Sequence, residues 1–138
     1  MKKTLSLSLL LLSIFLLSAC GKSEEALNQI SEDDVEKIYD GEMNGFFVAT
    51  QNTDESYFGT LEDVLEDNNT AAYFYNTYQP DGKDSELVEN QKFSLANRFD
   101  RNKLYYVKDG EVFEPIRLKN STGLQLAEQI QDYIDAHK

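Results

Sequence analysis

The fold is decided by one ten-residue stretch, Lys103-Leu104-Tyr105-Tyr106-Val107-Lys108-Asp109-Gly110-Glu111-Val112. Aromatic and β-branched residues on both sides of its Asp-Gly pair are typical of β-strands. An Asp-Gly pair also tolerates the positive φ angles that a two-residue type I′ turn requires. The stretch therefore predicts a β-hairpin whose second strand runs from Glu111 to Leu118. Because Pro115 lacks a backbone N–H group, that second strand should lie at the edge of a sheet.

Two further strands are predicted upstream of the hairpin, with helices between them. The run Gly45–Thr50 is apolar and β-branched on both faces, which is typical of a strand buried in the centre of a sheet. Residues 71–78 form the next predicted strand, which a Gln-Pro-Asp-Gly turn ends. Apolar residues recur at helical spacing over 57–67 and again over 84–99, so each of these segments is predicted to be a helix.

Capping residues place a helix at each end of this array. Ser31 precedes three acidic residues, a combination that favours a helix start, and Gly41 should end that helix. Thr122 should cap the last helix, with Gln125 completing a capping box. The predicted order over residues 31–138 is helix-β-α-β-α-β-β-α. This order predicts an α/β fold, a mixed sheet with helices on both faces.

The amino-terminal residues have the pattern of an export signal. A charged start, Met1-Lys2-Lys3, is followed by an apolar run that is too short for a comfortable membrane span. The run ends in Leu17-Ser18-Ala19-Cys20, which resembles the lipobox of bacterial lipoproteins. The resemblance implies that the Cys20 sulfur receives a diacylglycerol and that Cys20 becomes the mature amino terminus. The alternative is an ordinary cleaved signal followed by an unrelated cysteine.

These readings divide the chain into three parts: a signal peptide over 1–19, a lipidated cysteine with a polar tether over 20–30, and the folded domain over 31–138. The expected location is the outer, extracytoplasmic face of the cell membrane, with the lipid on Cys20 as anchor. The chain contains one cysteine. Once lipidated, the protein would therefore have no thiol for a disulfide or a redox centre.

The charge of the chain restricts its partners. It contains 25 acidic and 13 basic residues, and between Glu24 and Asp67 there are 14 acids against the single base Lys37. A negative field of this kind repels phosphates, so direct binding to nucleic acid or to anionic lipid heads is not expected. The acidic face is either a solvated surface or a docking surface for a cationic partner.

The element order of residues 31–138 resembles the thioredoxin fold. The run Val107–Val112 resembles the lysine–acid–glycine hairpin of thioredoxins, and Ala72–Thr77 resembles the strand that follows their first helix. Within that superfamily, the tyrosine-rich second strand and the leading helix are similar to those of the bacteriocin transport accessory proteins of Gram-positive bacteria.

The residues that would carry thioredoxin chemistry are missing. The resemblance places the redox cysteines in the loop 51–56, with Gln51 and Asp54 nearest to their positions. It places the family's cis-proline at Asn102. A cis bond before a residue other than proline costs about 3 kcal/mol, so we expect a trans bond there. The sequence therefore predicts a protein without redox activity and without a cofactor.

Other catalytic or metal sites have little support in the sequence. His137 is the only histidine and is the next-to-last residue, which predicts a frayed helix end and excludes the usual zinc site and the Ser/His/Asp triad. Asp54 and Glu55 are either paired carboxylates for acid–base chemistry or simple partners of a helix dipole.

Three functional hypotheses follow. The first is a binding or accessory module that recognises a protein or peptide, since thioredoxins bind extended peptides at this loop. Its recognition surface would be Gln51, Asn52, Thr53, Asp54, Glu55, Ser56, Tyr57 and Asn102. The second is an envelope enzyme that uses the carboxylates of the same loop. The third is a structural lipoprotein whose acidic face binds a cationic peptide or an exporter.

Overall fold

The structure is a computed structural model that describes residues 25–51, 55–93 and 98–138. The lipobox-like stretch with Cys20, and the candidate residues Asn52, Thr53 and Asp54, lie outside these ranges. The described part contains six strands and three helices. The strands are β1 (Leu27–Ile30), β2 (Gly45–Thr50), β3 (Ala72–Asn76), β4 (Lys103–Lys108), β5 (Glu111–Val112) and β6 (Ile116–Arg117). The helices are α1 (Glu32–Tyr39), α2 (Phe58–Asp67) and α3 (Gly123–His137).

All six strands belong to one mixed sheet. Its order is β1-β3-β2-β4, and β5 and β6 both pair with the outer side of β4. Strands β1 and β2 run parallel to β3, whereas β4 runs antiparallel to β2. Helix α2 is the crossover between the parallel strands β2 and β3. The predicted mixed α/β architecture is confirmed, and it is compatible with a thioredoxin-like α/β fold.

Strand β2 is buried on both faces, as its apolar sequence predicts. Phe46 and Val48 pack in the cluster that α2 and α3 cover. Phe47 and Ala49 point to the opposite face and pack in the cluster that α1 covers. Because each face of β2 meets a separate core, this strand connects the two halves of the domain.

The predicted hairpin is present, but its second strand is interrupted. Asp109 and Gly110 have φ angles of 52° and 77°, the signs that a type I′ turn requires. Beyond the turn, β5 and β6 pair with β4 on either side of Pro115. The predicted continuous strand over 111–118 is therefore wrong, because the proline cannot donate to the ladder. Its predicted position at the edge of the sheet is confirmed.

Helix α1 begins and ends where the sequence predicts. The Ser31 hydroxyl accepts a hydrogen bond from the Asp34 amide, and the Asp34 carboxylate accepts one from the Ser31 amide. The pKa of Asp34 is lowered, chiefly by its hydrogen bond with Lys37 and also by its bonds with Ser31. Gly41 follows the helix with a φ angle of +82°, and a Cβ atom there would lie 2.8 Å from the Asp109 carbonyl carbon. Glycine is therefore required where α1 ends against the hairpin turn.

The tether predicted for residues 20–30 is wrong in its last part. Leu27–Ile30 forms strand β1, which pairs in parallel with β3 in a register that joins Leu27 to Ala72. The side chains of Leu27 and Ile30 are buried, whereas the two polar residues between them are half-buried. Two apolar residues in a four-residue strand are too weak a pattern to distinguish an edge strand from a polar linker.

The helix predicted over 84–99 is wrong for the described residues 84–93, which contain no helix. The Val88 amide donates to the Tyr78 carbonyl and the Lys92 amide donates to the Thr77 carbonyl. These long-range bonds hold the segment beside the end of β3 instead of letting its amides bond within a helix. Leu87, one of the residues on the predicted apolar face, is 69% exposed.

Helix α3 has the predicted inner face but not the predicted cap. Four of its residues are buried: Leu126, Ile130, Tyr133 and Ile134. Thr122 makes no side-chain capping bond, and Gly123 has a left-handed φ of +55°, which breaks the regular first turn on which a capping box depends. The predicted fraying of His137 is also wrong, since its ring centroid lies 4.4 Å from that of Tyr133.

Replacement of Thr77 by valine is expected to stabilise the protein. The Thr77 side chain is fully buried, and its hydroxyl has no hydrogen-bond partner among the residues that the structure describes. Because an unsatisfied buried hydroxyl is unfavourable, Thr77→Val should raise the free energy of unfolding by about 1 kcal/mol, measured by urea denaturation. Thr70→Val is the control, since the Thr70 hydroxyl donates to the Asn68 carbonyl and its loss should not stabilise. Destabilisation by Thr77→Val would contradict the assignment.

Candidate functional site

The candidate site lies at the carboxyl end of β2, where the chain before β4 returns to the sheet. Arg101 forms a parallel bridge with Ala49, and the Asn102 amide donates a 2.8 Å hydrogen bond to the Ala49 carbonyl. Gln51 follows β2 directly and lines the same cleft as Asn102. The structure therefore places Gln51 and Asn102 at the same cleft.

Asn102 and Tyr57 join the two segments that the sequence predicts to form the site. The Tyr57 hydroxyl donates a 3.0 Å hydrogen bond to Oδ1 of Asn102. Asn102 has a left-handed φ angle of 62°, which asparagine tolerates better than most residues. The peptide bond before Asn102 is trans, as predicted, because the described residues contain no cis bond. Asn102 is thus held through its side chain at the point where this segment meets β2.

Tyr57 is a buried hydrogen-bond donor that holds Asn102 in place. The side chain is buried, and this desolvation raises the pKa of Tyr57 to about 12. A hydrogen bond with Thr50 lowers this pKa, and the negative charge of Glu55 raises it further. The hydroxyl therefore stays protonated and serves as a hydrogen-bond donor.

The carboxylate of Glu55 is already paired. Its Oε1 atom lies 2.9 Å from Nζ of Lys119, and its side chain is only 17% exposed. This ion pair fastens the start of α2 to the segment before α3. Ser56, next in the chain, is exposed. The structure thus brings Gln51, Tyr57 and Asn102 together but directs Glu55 to a structural partner.

A cleft of about 530 Å³ opens beside these residues. It is lined by Gln51, Gln91, Phe93, Phe99, Asp100, Arg101 and Asn102. Three carboxamides give the cleft both donors and acceptors, and the half-buried ring of Phe93 gives it an apolar surface. Sequence reasoning missed Gln91, Phe93 and Phe99 because they belong to the segment 84–99 that was predicted to be helical. It also missed Asp100 and Arg101, which no local pattern marked as site residues.

The charged groups of the cleft are partly neutralised by neighbours. Arg101 hydrogen-bonds to Oε1 of Gln91, which joins the two walls of the cleft. Asp100 forms an ion pair with Lys103, and this hydrogen bond lowers the pKa of Asp100. Asp100 is therefore a carboxylate at neutral pH. Within residues 25–51, 55–93 and 98–138, no group of three histidine, cysteine or acidic side chains could hold a metal ion.

The sequence matches no protein-family model and no curated protein. No helix in the described ranges is long and apolar enough to cross a membrane.

Tyr57→Phe tests the hydrogen bond at the site. The variant leaves Oδ1 of Asn102 without its donor, so the free energy of unfolding at pH 7 should fall by about 1 kcal/mol. A folded-state pKa of about 12 favours the neutral hydroxyl, so this contribution is present below pH 10 and is lost as the pH rises towards 12. The difference between the two proteins should therefore shrink over that range.

Urea unfolding curves at pH 7 and at increasing alkaline pH would measure this difference. Tyr73→Phe is the matched control, because the half-buried Tyr73 hydroxyl has no hydrogen-bond partner in the described part of the chain. Its loss should have little effect. A Tyr57→Phe protein as stable as the parent at pH 7 would show that the bond to Asn102 does not hold the site.

Proposed function

We propose that this protein is a lipid-anchored, extracytoplasmic module of thioredoxin-like fold that binds a protein or peptide partner and has no redox activity. The observation that carries the proposal is the cleft beside Gln51 and Asn102. It lies where the resemblance puts a thioredoxin's redox site, at the carboxyl ends of parallel strands, a common location for ligand sites in α/β proteins. A cleft without a thiol at that position supports recognition in place of thiol exchange.

The chemistry of the cleft suits an extended peptide. The Gln51 carboxamide can donate and accept hydrogen bonds, so it can pair with backbone N–H and C=O groups of a ligand. The half-buried ring of Phe93 offers an apolar surface to one ligand side chain. The cleft volume of about 530 Å³ is in the usual range for a binding pocket.

The enzyme hypothesis has less support than binding. It requires loop carboxylates that are free to transfer protons, but the Glu55 carboxylate is held 2.9 Å from Lys119. Asp54, the other member of the pair, lies outside the described residues. Burial raises the pKa of Tyr57 to about 12, which also makes its protonated hydroxyl a poor general base near neutral pH.

Photo-crosslinking in intact cells tests the binding proposal. A benzoylphenylalanine probe replaces Gln91 at the rim of the cleft, Asn69 at the opposite end of the sheet, or Asp63 on the acidic outer face of α2. All three positions are exposed. A discrete adduct is expected from position 91 but not from position 69, and Arg101→Glu should reduce it by changing the charge of the cleft wall.

The three positions separate the hypotheses. No adduct at position 91, or an equal adduct at position 69, would overturn binding at the cleft. An adduct confined to position 63 would instead support the acidic face as the docking surface for a cationic partner.

The absence of redox activity is a separate prediction. Thiol–disulfide exchange needs an attacking thiolate, and a Cys20→Ser form of the mature chain has none. We expect no insulin reduction above the no-protein control at any pH, with an authentic thioredoxin as positive control. We also expect the melting temperature to be the same in oxidant and in reductant. Turnover above the control would contradict the inference from the missing cysteines.

A further inference from the structure

The short link between Cys20 and β1 restricts the orientation of the domain on a membrane. Glu25, just before β1, is only five residues from Cys20. We infer, on the basis of the lipid anchor proposed above, that the amino pole of the domain faces the bilayer and that the cleft opens away from it. The amino pole is defined here by Glu25, Asn44, Asn69 and Asp109.

The sheet topology places these four residues at one end of the domain. Strands β1, β2 and β3 are parallel, and Leu27 and Phe46 both pair with Ala72, so the three strands begin at the same level. The hairpin turn lies there too, since the Asp109 amide donates a 2.7 Å hydrogen bond to Asn44. Asn69 follows α2 on the approach to β3.

The cleft lies at the opposite end of the same strands. Gln51 follows the last residue of β2, and Asn44 precedes its first residue. Gln51 and Asn44 are seven positions apart in the chain, which corresponds to about 23 Å along an extended strand. The cleft is therefore about one strand length away from the amino pole.

The link to the lipid is shorter than this distance. Five residues span at most about 18 Å when fully extended. If the cleft rested on the bilayer with the strands upright, Glu25 would lie about 23 Å above the surface, which the link cannot reach. The anchor therefore excludes the orientation in which the cleft rests on the bilayer and favours the one in which the amino pole is nearest to it.

The surface character of the two poles supports this orientation. The side chains that define the amino pole are exposed and polar, so this pole can lie against lipid headgroups without inserting. The two exposed large hydrophobic residues of the described chain are Leu87 and Leu124. Leu124 lies in the first turn of α3, whose other end reaches the amino pole through a bond from Lys138 to Asn68, and Leu87 follows the carboxyl end of β3. Both are therefore presented on the side that a partner in the extracytoplasmic space would meet.

Paramagnetic broadening on nanodiscs tests the orientation. Residues 20–138, labelled with ¹⁵N, are coupled through the Cys20 thiol to a maleimide lipid in phosphatidylcholine discs that contain a gadolinium-chelating lipid. The amides of Asn44, Asn69 and Gly110 should broaden several-fold more than those of Gln91 and Arg101. Equal broadening of the two groups, or stronger broadening at the cleft, would overturn the inference.

A second anchor position provides the control. In the double variant Cys20→Ser/Asn120→Cys, the same lipid is attached beside the cleft, because Lys119 pairs with Glu55 and the Leu118 amide bonds to Asn102. The broadening pattern should then reverse. Since the anchor is added chemically, this result does not depend on whether cells lipidate Cys20, which fatty acid labelling tests separately. It is also independent of whether the cleft has a partner.

Discussion

Cys20→Ser is expected to abolish labelling of the protein by a fatty acid, and either to release it from the membrane fraction or to stall its processing. The sulfur of Cys20 is the atom to which a diacylglycerol would be attached, and the chain has no second cysteine to replace it. A serine hydroxyl does not form the thioether.

Metabolic labelling with a radioactive or alkyne-bearing fatty acid, followed by fractionation, measures both consequences. Ser23→Ala is the matched control, since it changes a nearby small residue and leaves the Leu17–Cys20 motif intact. It should be labelled like the parent. Label retained on the Cys20→Ser protein would show that the lipobox reading is wrong.

Phe47→Ala is expected to cause the largest loss of stability among single substitutions in the sheet. Phe47 is fully buried in the central strand, and its ring centroid lies 4.8 Å from that of Phe99. Truncation of a buried phenylalanine costs about 3–5 kcal/mol, a large part of the stability of a small domain. The melting temperature should fall on the order of 15 °C.

The same substitution should also disturb the cleft, because Phe99 lines it. Leu124→Ala is the control, since Leu124 is 84% exposed and its truncation should change stability little. Thermal and urea unfolding of both variants would measure the difference. Equal stabilities for Phe47→Ala and Leu124→Ala would mean that β2 does not connect the two cores as described.

The parts of the fold predicted from sequence are those with a strong local signal. The Asp109-Gly110 pair specified its turn, the six apolar residues of β2 specified a buried strand, and Ser31 with Asp34 specified a helix start. In each case the residues that determine the conformation are close together in the sequence. Local chemistry alone was then sufficient.

The parts that were missed depend on distant partners. Strand β1 exists because β3 lies beside it, and four residues with two polar positions carry too little pattern to reveal that pairing. The segment 84–93 has apolar residues at helical spacing, yet its Val88 and Lys92 amides bond to the end of β3. Helical spacing of apolar residues therefore did not make this segment a helix, because its amides bond to distant residues instead.

The candidate site was predicted only in part, because some of its residues are brought there by contacts between distant parts of the chain. The positions of Gln51 and Asn102 followed from counting along the resembled fold, and the two residues do line one cleft. Gln91 and Phe93 could not be found in this way, because they belong to the segment that was predicted to be helical. The hydrogen bond from Tyr57 to Asn102 joins residues 45 positions apart, which no local pattern indicates.

Binding at the cleft without a thiol is tested most directly by photo-crosslinking a cysteine-free form of the protein. In this form a single transmembrane helix replaces residues 1–20, and the benzoylphenylalanine probe occupies position 91 as in the parent chain. The expected result is the same discrete adduct in both forms, with none from a probe at position 69. Loss of the adduct from the cysteine-free protein, while it remains folded and at the membrane, would contradict a function that resides in the cleft alone.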